Sequence, residues 1–327
     1  CELDNDIAGA KSYHGVHLEY VPTLSLGPLS TLLFDFKCLW KARKRFDVVY
    51  MLGYPPAFEC FIPRLFGTPV WINMDGVEWK RSKWGFWGRS WMRLNEYLAT
   101  KTANHLVADA AAIKDHLKDR HRKLPPCTVI PYGAPEITEA DPSLLQEYGV
   151  DANSYYLVVA RLEPENHIME IISGFLSSDT KKPLIIVGNI APETPYVKKL
   201  LDLSSDDPRV KFVNGVYQQN KLQALRYFSA AYFHGHSVGG TNPSLLEAMG
   251  CENLIIAHDN PFNKEVAEDG ALYFKEPGDI PAILTEIETN PNNMDRFSSL
   301  AKERLARHYH WDSIAEKYMT LIEEYTQ

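Results

Sequence analysis

The chain has 327 residues, of which 45% are hydrophobic and 23% charged; that is enough for two globular domains, and no apolar run approaches the roughly 18 residues of a membrane span. Its net charge of −8 is uneven, with 18 basic against 17 acidic side chains over 1–150 and 16 against 25 over 151–327, which excludes the broad basic face that nucleic acid requires. Five scattered cysteines with no CxxC spacing argue against a disulfide framework or zinc site and for reduced thiols in the cytoplasm.

The chain opens on Cys1 without a signal-peptide pattern and soon enters an extended segment at 15–21. A helix is predicted over 29–45, a strand over 47–52, a helix over 56–66 and a strand over 70–74. Helices over 89–102 and 110–118 alternate with strands over 105–108 and 128–131. A doubly wound domain begins with a strand-loop-helix unit, and none is visible before residue 16. The N-terminal domain is therefore expected to be incomplete, lacking that unit and the strand after it. Gly and Pro punctuate 132–142 with no periodicity crossing it, which marks a linker; the expected domains are 1–140 and 141–327.

The second half alternates more regularly. Strands are predicted over 155–160, 183–187, 210–213, 230–234, 254–257 and 271–274. Each is followed by a helix, over 166–177, 194–203, 218–228, 243–250, 263–268 and 279–289. Two more helices, 293–308 and 312–325, close the chain. Short apolar runs without polar alternation suit strands covered on both faces. The predicted class is α/β, with two Rossmann-like doubly wound parallel-sheet domains.

In such sheets ligands sit beyond the C-terminal strand ends, where helix N-termini offer free N–H groups to anions. The residues at those ends are Arg161; Gly188 and Asn189; Asn214, Gly215, Val216 and Tyr217; and Gly235-His236-Ser237-Val238-Gly239-Gly240-Thr241-Asn242. Arginine and glycine-rich turns there suit a ligand bearing a diphosphate. Gly239 and Gly240 let backbone approach a ligand closely. Asn242 and Pro243 read as N-cap and first helical residue, which places Glu247 one turn into the helix. A carboxylate there can accept both hydroxyls of a ribose, at roughly 1.5–3 kcal/mol per charge-assisted bond. The same spacing also suits a plain capped helix whose Glu247 favours the dipole.

Five of the seven tryptophans (Trp71, Trp79, Trp84, Trp87, Trp91) fall within 21 residues, interleaved with Lys80, Arg81, Lys83, Arg89 and Arg93. Trp84, Trp87, Trp91, Leu94 and Leu98 share helical spacing. Lys80, Arg81, Lys83, Trp84, Trp87 and Trp91 are thus candidates for peripheral contact with an anionic bilayer, with Lys41, Arg43, Lys44 and Arg45 able to join them. A core-facing stripe with solvated charges is the alternative. His234 and His236 are too few ligands for a metal site, and none is expected.

The segment from His236-Ser237 to Glu247-Ala248-Met249-Gly250, with Val-Ala-Arg161-Leu-Glu-Pro-Glu upstream, resembles retaining family 4 glycosyltransferases of the GT-B fold. Its rhamnosyltransferase-type branch shares a segment like Asn73-Met74-Asp75-Gly76-Val77-Glu78-Trp79-Lys80-Arg81-Ser82-Lys83-Trp84. The resemblance runs over nearly the whole chain and implies two domains facing a cleft. It implies that Glu247 holds the donor ribose and Arg161 the diphosphate. The turn at Gly215 and Val216 borders the base, beside Asn189, and His236, Gly239, Gly240, Thr241, Asn242 and Ser244 face the phosphates and sugar. Asp75, at a strand end, is the first candidate for an acceptor-side base and Glu78 the second, although Asp75-Gly76 also reads as a simple turn.

The chain departs from the wider family at two positions, with Gly239 where a second glutamate is usual and Asn166 where a lysine is. Both departures fit the rhamnosyl branch and equally a degenerate site. The implied activity is retaining transfer of a hexose, L-rhamnose from dTDP-rhamnose, to a lipid-linked or growing saccharide at the inner face of the cell membrane. No cofactor is implied, the dTDP- or UDP-linked sugar being substrate. A sugar-nucleotide epimerase and a non-catalytic nucleotide-sugar-binding subunit stand as alternatives.

Overall fold

The computed structural model describes residues 10–23 and 27–326. The chain divides into two compact units. One comprises Cys1–Asp75, Phe86–Ala108 and Lys114–Val129; the other comprises Gly76–Gly85, Asp109–Ile113 and Ile130–Gln327.

In the first unit, strands β1 (Ser12–Tyr13) and β2 (Val16–His17) form a small antiparallel hairpin, where sequence suggested one extended segment. Its turn uses positive φ at His14 and Gly15. Then come α1 (Pro28–Ala42), β3 (Val49–Met51), α2 (Phe61–Leu65), β4 (Val70–Met74), α3 (Phe86–Thr102), β5 (His105–Ala108), α4 (Ala111–Arg120, its first turn in the second unit) and β6 (Cys127–Val129). Strands β3-β4-β5-β6 make a parallel sheet in that order. All five residues of β4 are buried, as its run without polar alternation requires of a strand covered on both faces. Helix α2 is shorter than predicted because Pro55 and Pro56 hold the chain in turns up to Cys60. Glu96 of α3, 1% exposed, is held by Arg120 Nε at 2.8 Å and His121 Nε2 at 3.0 Å. Such a buried carboxylate is tolerable only with these partners.

The second unit runs β7 (Tyr156–Val159), α5 (Ile168–Leu176), β8 (Leu184–Val187), α6 (Pro195–Ser204), β9 (Val210–Val213), α7 (Gln219–Tyr227), β10 (Ala231–His234) and α8 (Pro243–Gly250). It ends with β11 (Ile255–His258), α9 (Pro261–Ala267), β12 (Ala271–Phe274), α10 (Ile280–Thr289), α11 (Pro291–His308) and α12 (Trp311–Thr326). The sheet order is β12-β11-β10-β7-β8-β9, all parallel. The chain builds outward from β7 through β8 and β9, then returns to the other side of β7 with β10. That reversal between β7 and β10 is a topological switch point, where helices leave on opposite faces and a crevice opens at the strand ends. Alternate strand residues feed two cores. Leu157, Ile185, Tyr232 and Ile255 pack with Leu245, Leu246 and Met249 of α8. Val158, Ile186, Phe233 and Ile256 pack with Ile168, Ile171 and Phe175 of α5.

Two pieces of the predicted N-terminal domain belong to this second unit, and the main break falls at Val129 and Ile130 rather than at 140. The physical reason is specific contact. Thr241 Oγ1 donates to Asp109 O, and the Ala111 and Ala112 amides donate to the Glu265 carboxylate at 2.5 and 2.9 Å. Ser82 Oγ donates to Glu165 Oε2 at 2.6 Å.

Candidate functional site

A cavity of about 660 Å³ opens at the switch point of the second unit. Its walls are the residues that follow the strands: Arg161 after β7, Gly188 and Asn189 after β8, Gly215, Val216 and Tyr217 after β9, and His236 after β10. The first turn of α8 closes it with Asn242, Pro243, Ser244 and Glu247. Arg161 and Glu247 therefore share one crevice.

Each wall is fixed by local chemistry. Asn242 caps α8 by accepting the Ser244 amide at 2.9 Å, with Pro243 at the first helical position. Asn189 ties two strand ends together: its Oδ1 accepts the Gly215 amide at 3.1 Å and its Nδ2 donates to Tyr217 Oη at 2.8 Å. Any side chain at Gly215 would collide, since its Cβ would stand 2.4 Å from Asn189 Oδ1. Asn166 is buried and donates to Arg161 O at 2.7 Å, so it shapes the arginine loop. The Arg161 guanidinium is 62% exposed and only loosely paired, 3.7 Å from Glu163.

Glu247 has a partner that the sequence did not reveal. Arg226 of α7, 4% exposed, places Nη2 2.6 Å from Glu247 Oε2 and 3.3 Å from Ser244 Oγ. Ser244 also meets Tyr232 Oη at 2.5 Å and donates to Val159 O at 3.2 Å. Arg226 is buried on α7 together with Ala224 and Leu225, which its sequence neighbours gave no sign of.

His236 lines the cavity, and burial together with Arg161 and Arg81 pushes its imidazole down to about 3. It is a neutral ring at neutral pH. His234 behind it is fully buried, and burial, His236 and Arg226 hold it well below the ordinary histidine value.

The glycine-rich loop is placed differently from expectation. Gly240 packs on Asp109, where a Cβ would come within 1.9 Å of Oδ1. The Thr241 hydroxyl is spent on Asp109 O and its residue is buried. Gly239 abuts Gly76. These three fix the loop's path, while His236, Asn242 and Ser244 wall the cavity. Asp75 follows β4 in the first unit, half-buried, with Oδ2 3.9 Å from where a Cβ on Gly53 would lie. Glu78 is ion-paired to Arg81 at 2.6 Å and lies 3.8 Å from Lys83. Among the described residues no group of His, Cys, Asp and Glu could hold a metal ion.

Residues 146–304 match the family described as Glycosyl transferases group 1. The matched residues lie within the second unit. Residues 12–135 match a domain of unknown function, DUF1972. Glycosyltransferase 1 domain-containing protein 1 of Xenopus tropicalis is 24% identical over 193 residues, 55% of this chain and 54% of that protein. The chain thus spans about half the length of that curated relative. Among solved structures, Anabaena HepE in complex with UDP-glucose is similar with a TM-score of 0.78, at 18% identity over 94% of this chain and 86% of that one. Sucrose-phosphate synthase from Thermosynechococcus elongatus gives 0.79 at 13% identity, over 93% and 82%. These likenesses establish the fold, two Rossmann-like α/β units with parallel sheets as expected.

The candidates for membrane contact do not form one stripe. Lys80, Arg81, Lys83 and Trp84 precede α3 and belong to the second unit, whereas Trp87 and Trp91 lie on α3. Helix α3 begins only at Phe86, so Trp84 is off its face. Arg81 lines the cavity of the second unit. Lys80 lies against Trp79, 5.6 Å from its ring centre, and Lys83 lies 4.9 Å from that of Trp84. Trp87 and Trp91 are exposed, with Phe86, Leu94 and Tyr97. No helix among the described residues is long and apolar enough to cross a membrane.

Proposed function

We propose that the protein transfers a hexose from a nucleoside-diphosphate sugar to a saccharide acceptor. The observation that carries this reading is the single crevice walled by Arg161, the start of α8 and Glu247. Its volume of about 660 Å³ falls within the usual range for small-molecule sites. The base lies by Gly215 to Tyr217, the ribose hydroxyls on Glu247, and the diphosphate between Arg161 and the positive N-terminal end of the α8 dipole. HepE was solved with UDP and with UDP-glucose, which supports a pyrimidine nucleoside diphosphate here.

In the reaction, the bond from the anomeric carbon to the diphosphate oxygen breaks and the acceptor oxygen bonds to that carbon. The acceptor proton passes to a base, for which Asp75 is the candidate. Arg161 and the positive end of the α8 dipole offset charge gathering on the departing diphosphate. Following the resemblance in the 73–84 segment, the donor is dTDP-L-rhamnose and the configuration is retained.

The acceptor is lipid-linked in this reading. Helix α3 exposes Phe86, Trp87, Trp91 and Leu94, and its exposed charged side chains, Arg89, Arg93 and Lys101, are all basic. That combination suits an anionic bilayer surface.

Calorimetric titration with dTDP and UDP tests the site. Binding should be present in the parent protein and lost in Glu247→Ala; unchanged affinity in that variant would remove the assignment. Incubation of a nucleotide sugar without acceptor separates the rivals. A second nucleotide sugar appearing would mark an epimerase, and donor binding with neither transfer nor hydrolysis would mark a binding subunit.

A further inference from the structure

The donor crevice takes a cation from outside the strand ends. Arg81 lies in the 76–85 segment and lines the same cavity as Arg161. Its Nε sits 2.6 Å from Glu78 Oε1, and its side chain is 17% exposed. That Nε is buried and meets Glu78 only as an ion pair, with no hydrogen bond of good geometry among the described residues. A guanidinium ion-paired at Nε and lining the cavity can offer its forked end to an oxyanion in bidentate fashion.

The backbone that carries Arg81 is held on both sides. Before it, Gly76 meets Gly239, with a Cβ on Gly76 falling 3.1 Å from Gly239 Cα. After it, Ser82 donates to Glu165 Oε2 through Oγ at 2.6 Å and through N at 3.4 Å. Between these anchors a single 3₁₀ turn, Glu78–Lys80, delivers Arg81. The other two arginines of the cavity are in different states. Arg226 is committed to Glu247 at 2.6 Å, and Arg161 is solvent-exposed. A nucleoside diphosphate carries at least two negative charges at neutral pH, against the one positive charge of Arg161.

We infer that Arg81 binds the donor diphosphate together with Arg161, and that Glu78 is its positioning residue. This rests on the nucleotide-sugar reading of the cavity. As the sugar–phosphate bond breaks, Arg81 stabilises the charge left on the diphosphate, so its removal weakens product and transition state more than nucleoside binding. The depression of His236 by both Arg161 and Arg81 accords with two guanidinium groups converging on one wall.

The test is calorimetry of the full chain with UDP and dTDP and with uridine and thymidine, on the parent, Arg81→Gln, Arg81→Lys, Glu78→Gln and Glu247→Ala. Arg81→Gln should weaken diphosphate binding at least tenfold and leave nucleoside binding within twofold. Arg81→Lys should recover part of the loss, and Glu78→Gln should lose less than Arg81→Gln. Thermal unfolding is followed in parallel. If Arg81→Gln lowers the unfolding temperature while diphosphate affinity stays at the parent value, Arg81 is only a partner of Glu78 and the inference fails. If Glu247→Ala loses the diphosphate and a well-folded Arg81→Gln does not, the inference fails while the nucleotide-sugar reading stands. A parent protein that binds neither diphosphate overturns both.

Discussion

Gly76 and Gly239 meet backbone to backbone: a Cβ on Gly76 would stand 3.1 Å from Gly239 Cα, and φ is 135° at one and 147° at the other. Both angles are open to glycine and costly for any L side chain. The junction fastens the segment that follows β4 to the loop that follows β10. Gly76→Ala therefore meets strain and a close contact at once, and should cost about 1–3 kcal/mol, read as a lower urea midpoint. Gly239→Ala meets strain alone, because its Cβ would find nothing within 4 Å, and should cost less. An equal loss in both variants would contradict the contact.

The Glu247–Arg226 pair makes one residue serve two purposes. Glu247 presents its carboxylate to the cavity while neutralising a guanidinium that is 4% exposed. Glu247→Ala should therefore lose nucleotide binding and also stability, by about 1–3 kcal/mol for the stranded buried donor. Arg226→Met removes the charge along with its burial cost, and should lose less stability than Glu247→Ala yet still weaken ribose binding, since Glu247 is no longer oriented. Urea unfolding and calorimetry on the two variants check the pattern. Nucleoside affinity unchanged in Arg226→Met would show that Glu247 needs no such support.

Three histidines set the acid response. Burial and neighbouring cations hold His236 down to about 3, burial and His167 hold His258 down to about 4, and His234 is well below its ordinary value. Their folded values lie below the unfolded one, so the unfolded chain takes up protons first as pH falls. Their stabilising effect is complete above about pH 6.5 and is withdrawn as pH drops from there toward 4. His234 is 0% exposed and its ring nitrogens have no hydrogen-bond partner among the described residues. It alone should contribute a slope of up to about 1.4 kcal/mol per pH unit in that window. His234→Phe keeps the ring packed against Tyr232 and His236, whose ring centres lie 6.2 and 4.4 Å away. Unfolding midpoints between pH 4.5 and 7.5 should flatten in that variant, and a parent-like slope would reject the assignment.

The parts of the fold that were legible are those with a local cause. The β4 run Val70–Met74 and the Asn242–Pro243 start of α8 occur as predicted, because an unbroken apolar run and a cap act within a few residues. Arg161 and Glu247 were legible as crevice residues because strand ends and helix starts fix positions in a parallel sheet. Arg226 was not, since a buried arginine has no local signature until its partner on the neighbouring helix α8 is known. Arg81 was read as surface charge because tryptophans and lysines surround it. Nothing nearby in sequence says that the chain after β4 leaves its own sheet to pack on Gly239 and Glu165. Thr241 was misplaced for a similar reason, its hydroxyl being consumed by the distant Asp109 carbonyl.

Helix α3 gives the bilayer reading its own test. Trp87 is 82% exposed and Phe86 75%, while the buried face carries Met92, Asn95, Glu96 and Ala99, so the apolar stripe points away from the core. If that stripe lies on an anionic surface, the protein should co-sediment with phosphatidylglycerol vesicles and less with neutral phosphatidylcholine ones. Each exposed basic residue near such a surface is worth about 1 kcal/mol, so Arg89→Ser with Arg93→Ser should weaken binding by roughly 30-fold. Trp87→Ser should weaken it too, through lost apolar insertion, and the remaining binding should keep its salt sensitivity. Donor affinity should be untouched in all three, because none of these residues lines the cavity. Vesicle binding that ignores both lipid charge and these substitutions would leave α3 with a protein partner or none, and the lipid-linked acceptor without support.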